Sequence, residues 1–289
     1  MIPPQIRKVG ALMTTTHARS LLAEASRFAE RLGVPLALIH DVTGEAESQA
    51  HLREAANQLA LTVENIVSSK SESAQALLSA AEQADIELLV AGAFEGPALN
   101  RRRFLSSAAR KIVDSALCSL LLLVKPRIDT HNFRRLVVLT DFSEVSRIAC
   151  GQALWLAEKD VAECVHVISI HTIFMDARAR TGARDGKPAR TRVQEERLME
   201  DFLASLPKCQ VQVDWNIVDA TTGFAACEFA ESVDADLLVL PGYNRPQGRV
   251  PPLADWALQV VPCSLWIVQG RAACGNPSSP IIAPRAQLC

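Results

Sequence analysis

The chain contains itself twice, and no other feature constrains its fold as strongly. The segment Arg134-Arg135-Leu136-Val137-Val138-Leu139-Thr140-Asp141-Phe142-Ser143 falls without a gap on Arg7-Lys8-Val9-Gly10-Ala11-Leu12-Met13-Thr14-Thr15-Thr16 when slid back 127 positions. The helical patterns that follow also align, Ile148, Leu154 and Trp155 with Leu21, Arg27 and Phe28. Further on, Asp236-Leu237-Leu238-Val239 matches Glu87-Leu88-Leu89-Val90, and Cys263-Ser264-Leu265 matches Cys118-Ser119-Leu120. Self-similarity in the same order along both halves means that one architecture is built twice. The expected division is a first repeat over 1–127, a second over 131–270, and a flexible tail over 271–289 that has no periodicity. Lys125 to Asn132, with Pro126 and mostly polar residues, suits a short linker between them.

Within the first repeat, short apolar runs alternate with helical periodicity. Strands are expected at Val9–Met13, Leu36–Val42, Val63–Val67, Leu88–Ala91 and Leu120–Val124, and helices at Ala18–Leu32, Glu47–Leu61, Ala74–Ala84 and Ser107–Ser115. The second repeat follows the same order, with strands at Leu136–Thr140, Val165–Ile170, Val211–Ile217, Leu237–Leu240 and Leu265–Val268. Its helices are expected up to Ala157 and over Val193–Leu206, Phe224–Val233 and Leu253–Val260. Strands that are apolar throughout and separated by helices predict an α/β fold with open parallel sheets covered on both faces. In such sheets ligands sit beyond the carboxyl ends of the strands, where the strand order switches. That expectation gathers Thr14, Val42 and Gly92 at one crevice, and Asp141 and Gly242 at the other.

The stretch from Glu87 to Val124 has the order of a phosphate cradle. An apolar run ends at Gly92, Gly96 follows, then Arg101-Arg102-Arg103, and Ser106-Ser107 opens a helix. Glycines admit close backbone approach, and a helix N-terminus presents free N–H groups to an anion.

Composition narrows the classes. A net charge of −2 gives no global field toward nucleic acid. No apolar run approaches the roughly 20 residues of a membrane span, and the first residues do not read as a signal peptide. The expectation is a cytoplasmic protein with neither nucleic-acid nor membrane partners. The eight cysteines include no C-x-x-C pair and no Cys/His cluster along the chain. They are read as core thiols, with no metal site expected. His40, His166 and His171, in or beside strands, are read as core or edge residues. A triad of Ser143, His171 and Asp141 would lack a Gly-x-Ser-x-Gly elbow, and Walker, Ser-Gly-Gly-x-Asp and His-x-Gly-His motifs are absent. Arg178 to Arg192, rich in Arg and Gly, has no counterpart in the first repeat. It is read as a solvated loop, with docking of a partner or of the other repeat as the alternative.

At these residues the chain resembles a tandem universal stress protein. The resemblance covers about residues 7–125 and 134–268 and implies the adenine nucleotide α-hydrolase-like fold. It also implies two repeats joined through their edge strands as a pseudo-dimer. Nucleotide-binding members of that family carry Asp-x-Ser at the end of the first strand and Gly-x2-Gly-x9-Gly-Ser/Thr after the fourth. The first repeat reads Gly92-x3-Gly96-x9-Ser106-Ser107, with Thr14-Thr15-Thr16 in place of Asp-x-Ser. The second keeps Asp141-Phe142-Ser143 but reads Gly242-Tyr243-Asn244-Arg245 in the loop, with Pro251-Pro252 where Gly-Ser would lie. Each repeat therefore keeps half of the family's site. The resemblance implies a stress-response protein that acts by binding and association, requires no cofactor and carries no catalytic residues. The first alternative is an ATP-binding sensor, with at most a weak ATPase, using Thr14, Val42, Gly92, Gly96, Ser106 and Ser107. The second places another small ligand in the altered crevice, where Asp141, Ser143 and Gly242 stand. The expected partners are the two repeats for each other, with a homo-oligomer or a protein partner beyond them.

Overall fold

A computed structural model of the chain describes residues 4–13, 18–41, 45–58, 65–69, 73–93, 105–129, 132–172, 190–220, 224–242 and 256–270. The first half runs β1 (Val9–Met13), α1 (Ala18–Leu32), β2 (Leu36–Asp41), α2 (Glu45–Gln58), β3 (Asn65–Ser69), α3 (Ala74–Gln83), β4 (Leu88–Gly92), α4 (Ser107–Ser115) and β5 (Ser119–Leu123). The second runs β6 (Arg135–Leu139), α5 (Glu144–Asp160), β7 (Cys164–Thr172), α6 (Arg192–Ala204), β8 (Gln212–Ala220), α7 (Ala225–Ser232), β9 (Leu237–Gly242) and β10 (Ser264–Gln269). His171, expected just past a strand, lies inside β7.

One expected helix is different. In place of a helix over Leu253–Val260 there is a three-residue 3₁₀ turn, Trp256–Leu258, with residues 251–255 outside the described set. The corresponding helix α4 starts from Ser106, whose hydroxyl accepts the Ala109 N–H at 3.1 Å. The 3₁₀ turn instead runs into Val260-Val261-Pro262, where a β-branched pair and the residue before proline both disfavour helix.

The ten strands among the described residues form one sheet in the order β3-β2-β1-β4-β5-β10-β9-β6-β7-β8. Neighbours within each half are parallel, and the halves meet at the antiparallel pair β5·β10. Each half has the same order, with β1 or β6 flanked by strands whose connections run to opposite sides. The apolar runs are apolar throughout because both faces are covered. Val9, Ala11, Leu88, Val90, Leu136, Val138, Trp266 and Val268 enter one core with α1, α5 and α6. The alternating residues Leu12, Leu89, Ala91, Val137, Leu139, Leu265 and Ile267 enter the other, with α3, α4 and α7. That partition is the two-residue period of a strand.

The seam between the halves is stapled twice. Trp266 pairs with Leu121 at its centre. At one end the Ser264 hydroxyl accepts the Val124 N–H at 3.3 Å, and at the other the Ser119 hydroxyl accepts the Gln269 N–H at 3.1 Å. These serines belong to the matching Cys-Ser-Leu segments, and the two hydrogen bonds are equivalent across the β5·β10 pair. The Phe28 ring of α1 packs edge-on against Trp266, with centroids 5.6 Å apart.

Helix α1 also fastens the linker. Arg27 donates to the carbonyls of Ile128 and Arg127 at 2.8 and 2.9 Å, and Glu24 accepts the Arg127 N–H at 3.3 Å. Arg31 reaches the buried Asp160 carboxylate at the end of α5 at 2.8 Å, and the other Asp160 oxygen accepts the Phe133 N–H at 2.8 Å. Both α1 and α5 end in a left-handed residue, Gly33 (φ 67) and Val161 (φ 52), each followed by a hydrogen bond back across the last turn.

Candidate functional site

The switch point of each half lies between its first and fourth strands. In the first half the β1·β4 register brings the end of β1 level with Gly92. Ala93 donates to the Leu123 carbonyl and its own carbonyl accepts the Ser106 N–H at 3.3 Å, so α4 begins directly beside the end of β4. The Ser106 hydroxyl is engaged as the N-cap of α4, while Ser107 is exposed at the first position of that helix. Thr14, Val42 and Gly96, with Arg101 to Arg103, lie outside the described residues.

In the second half the β6·β9 register, continued past the strands, carries Asp141 level with Gly242. On that register the two residues fall at the same end of the sheet. Asp141, however, is turned into a local knot. Its Oδ1 accepts the Ser143 N–H at 3.1 Å and the Ser146 hydroxyl at 2.5 Å, and Ser146 Oγ accepts the Asp141 N–H at 3.1 Å. Ser143 is the N-cap of α5 and accepts the Ser146 N–H at 3.1 Å. Phe142 makes the turn with φ 64 while donating its N–H to Thr140 Oγ1. Asp-x-Ser here organises a helix start.

Gly242 has its own structural reason. A Cβ on it would lie 2.9 Å from Ile267 Cγ2 and 3.0 Å from Gln269 Cδ, so β10 needs a glycine there whatever the crevice holds. Above this end of the sheet, Phe142 packs edge-on against Phe202 of α6, and the Arg190 guanidinium sits 5.5 Å over the Phe142 ring. Arg192 pairs with Glu196 and Asp219. Only Arg190 to Arg192 of the Arg-rich stretch is described, and there it folds back on its own half.

His171 is engaged by a carboxylate of α6. Its Nδ1 lies 2.9 Å from Glu195 Oε2, and both side chains are buried. Burial pushes the Glu195 carboxyl above the ordinary range, against the opposing pull of His171 and of Arg190 and Arg192. Cys150, fully buried, is pushed up to about 12, which makes it a packing residue rather than a nucleophile.

Two features were missed by sequence reasoning. One is a cavity of about 630 Å³ between the halves, at the opposite end of the first half-sheet from its crevice. Arg7, Asp85 and Leu117, which precede β1, β4 and β5, line it together with Gly151 and Gln152 of α5. The other is a cluster of Cys164, His166 and Asp214, whose ligand-type atoms all lie within 4.8 Å of one another. Along the chain only two of the three, Cys164 and His166, stand close together. The available signal was Cys-x-His inside a strand, which puts both side chains on one face.

Residues 132–269 match the model of the Universal stress protein family. The second half of the chain is thus a domain of the universal stress protein family. No curated protein matches the sequence. Among solved structures, a functionally unknown protein from Pseudomonas aeruginosa PAO1 is similar with a TM-score of 0.70 at 15% identity, covering 92% of this chain and 93% of that one. A universal stress protein from Archaeoglobus fulgidus DSM 4304 is similar with a TM-score of 0.60 at 13% identity, covering 92% of this chain and 99% of that one. At these identities the likeness is one of fold, and it extends over both halves. No helix among the described residues is long and apolar enough to cross a membrane.

Proposed function

We propose that the chain is a tandem universal stress protein, with repeats over 1–127 and 131–270 and a tail beyond, that serves the cytoplasmic stress response by binding and association rather than by catalysis. In this reading the covalent duplication supplies a pseudo-dimer, with further partners or copies joining it. The carrying observation is the closed knot at Asp141. The carboxylate of Asp141 and the hydroxyl of Ser143, which the family motif would offer a nucleotide, are engaged with the start of α5. Gly242, pressed against Ile267 and Gln269, is accounted for by packing. A ligand at that crevice would have to displace a satisfied network, at about 0.5–1.5 kcal/mol per hydrogen bond.

A second reading, ATP binding in the first repeat, draws on one observation. Helix α4 opens beside Gly92 with Ser107 exposed at its first position, a geometry suited to a phosphate. The test for both is to purify the protein, denature it, identify released small molecules by mass spectrometry, and titrate the native protein with ATP. Absence of nucleotide and of saturable binding at millimolar ATP is expected. Bound ATP whose affinity falls on Gly96→Val or Ser107→Ala would establish the second reading in place of the first.

A further inference from the structure

The Cys164, His166 and Asp214 cluster sits on the β7–β8 edge, away from both switch points. Cys164 and His166 are two residues apart on β7, and the parallel register sets His166 opposite Asp214 on β8. Three different donors, a sulfur, an imidazole nitrogen and a carboxylate oxygen, therefore converge on one face of the last strand pair. The Cys164 Sγ and Asp214 Oδ2 are 3.4 Å apart. A tetrahedral zinc ion with arms of about 2.3 Å to sulfur and 2.1 Å to oxygen would hold those two atoms about 3.6 Å apart.

Two of the donors are held in place by a neighbour. Gln212 Nε2 donates to both Asp214 oxygens, at 3.2 and 3.1 Å, which orients the carboxylate. The His166 ring packs edge-on against Phe229 of α7, with centroids 5.8 Å apart. Burial grades across the cluster, with Cys164 buried, His166 half-buried and Asp214 exposed. A metal would thus have protein on one side and solvent on the other, the arrangement of a three-ligand site with an open fourth position. Arg135, opposite Cys164 in the β6·β7 register, is the adverse charge on this face; its Nε is turned to the Asp234 carbonyl at 3.2 Å.

We propose that Cys164, His166 and Asp214 bind a divalent transition-metal ion of the zinc type and so clamp the outermost strand β8 to β7. A soft thiolate with imidazole selects such an ion over calcium or magnesium. On binding, the Cys164 thiol releases its proton to solvent and sulfur becomes the ligand, with no change in oxidation state. Thiolate and carboxylate together balance the two charges of the metal, and the imidazole binds neutral. The first half has no equivalent, since by register Pro35 and Ala37 stand where Cys164 and His166 do in the second.

The test uses the full-length chain, stripped of metal by chelation and titrated with Co²⁺, then with Zn²⁺ as competitor. The expected result is one Co²⁺ per chain with a thiolate-to-cobalt charge-transfer band that Zn²⁺ abolishes. Cys164→Ser should remove the band, and Asp214→Asn and His166→Gln should each weaken binding at least tenfold. Cys118→Ser and the Cys274→Ser/Cys289→Ser pair should leave it intact. Asp214→Asn lies on an exposed strand and should keep the far-ultraviolet dichroism of the parent, so a loss of binding there reports on the site itself. A band that survives Cys164→Ser, equal affinity in Asp214→Asn and parent, or no cobalt absorption at all would overturn the proposal.

Discussion

Removing the Asp160 carboxylate should be among the most damaging single substitutions in this protein. Asp160 is 2% exposed and faces Arg31 Nη2 at 2.8 Å across the junction of α1 and α5, while its second oxygen accepts the Phe133 N–H at 2.8 Å. At an effective dielectric constant of about 20 the gross attraction of unit charges at that distance is about 6 kcal/mol. Most of it is offset by the cost of burying both ions, a cost visible in Arg31, whose guanidinium is pushed below its usual value by burial. Asp160→Ala leaves that desolvation in place and takes away the partner, and it also strips the Phe133 N–H of its acceptor. The expected loss is about 3–5 kcal/mol, read as a shift of the urea midpoint at unchanged slope. Asp160→Asn keeps an oxygen for Phe133 and should cost less. Adding Arg31→Met to Asp160→Asn should recover about 1 kcal/mol or more, because no unpaired charge is then buried. A loss below about 1 kcal/mol in Asp160→Ala, or no recovery in the double variant, would refute the reasoning.

Three further outcomes follow from the geometry. Ser119→Ala and Ser264→Ala should each cost about 1 kcal/mol by urea unfolding, equally and additively, since each removes one symmetry-related hydrogen bond at the seam. Val161→Gly should raise stability by about 1 kcal/mol, because Val161 is 80% exposed and holds a left-handed conformation that costs a β-branched residue about 1–2 kcal/mol. Gly33→Val, where an added Cβ meets nothing within 4 Å, should lose a similar amount through backbone strain alone. Glu195 supplies a pH test. Its folded pKa is raised by burial above the unfolded value of about 4.3, so its contribution is complete below that value and is lost as pH rises through the raised one. Wild-type stability minus that of Glu195→Gln should therefore fall as pH rises above about 4.3, and a difference that grew with pH would contradict the buried placement.

Nearly all the strands and helices were legible because each depended on a local signal. Runs such as Leu88–Ala91 are apolar at every position, and Ser107–Ser115 has its cap in the residue before it. The second-half element expected as a helix shows where such signals compete: Leu253–Val260 keeps helical spacing, but Val260, Val261 and Pro262 favour extended backbone, and its described part, from Trp256, is a 3₁₀ turn. The candidate sites were less legible because their chemistry depends on which neighbour takes the side chain. Asp141-Phe142-Ser143 reads equally as a ligand motif and as a helix start, and only Ser146, five residues on, shows where its carboxylate is directed. Asp214 joins Cys164 and His166 from a strand 48 residues beyond His166, a relation fixed by register and invisible to spacing.

The doubly stapled seam between β5 and β10 has a consequence for how such a molecule can change over time. In an assembly of two identical chains every substitution arrives in duplicate, once on each side of the axis, and one half cannot be altered without the other. Here Ser119 and Ser264 hold the same symmetric contact but are encoded separately. The shared seam keeps the two halves in one shape, while everything distant from it is released to drift alone. The halves differ accordingly: the first has Thr14 where the second has Asp141, and only the second has a cysteine, a histidine and an aspartate gathered at its far edge among the described residues.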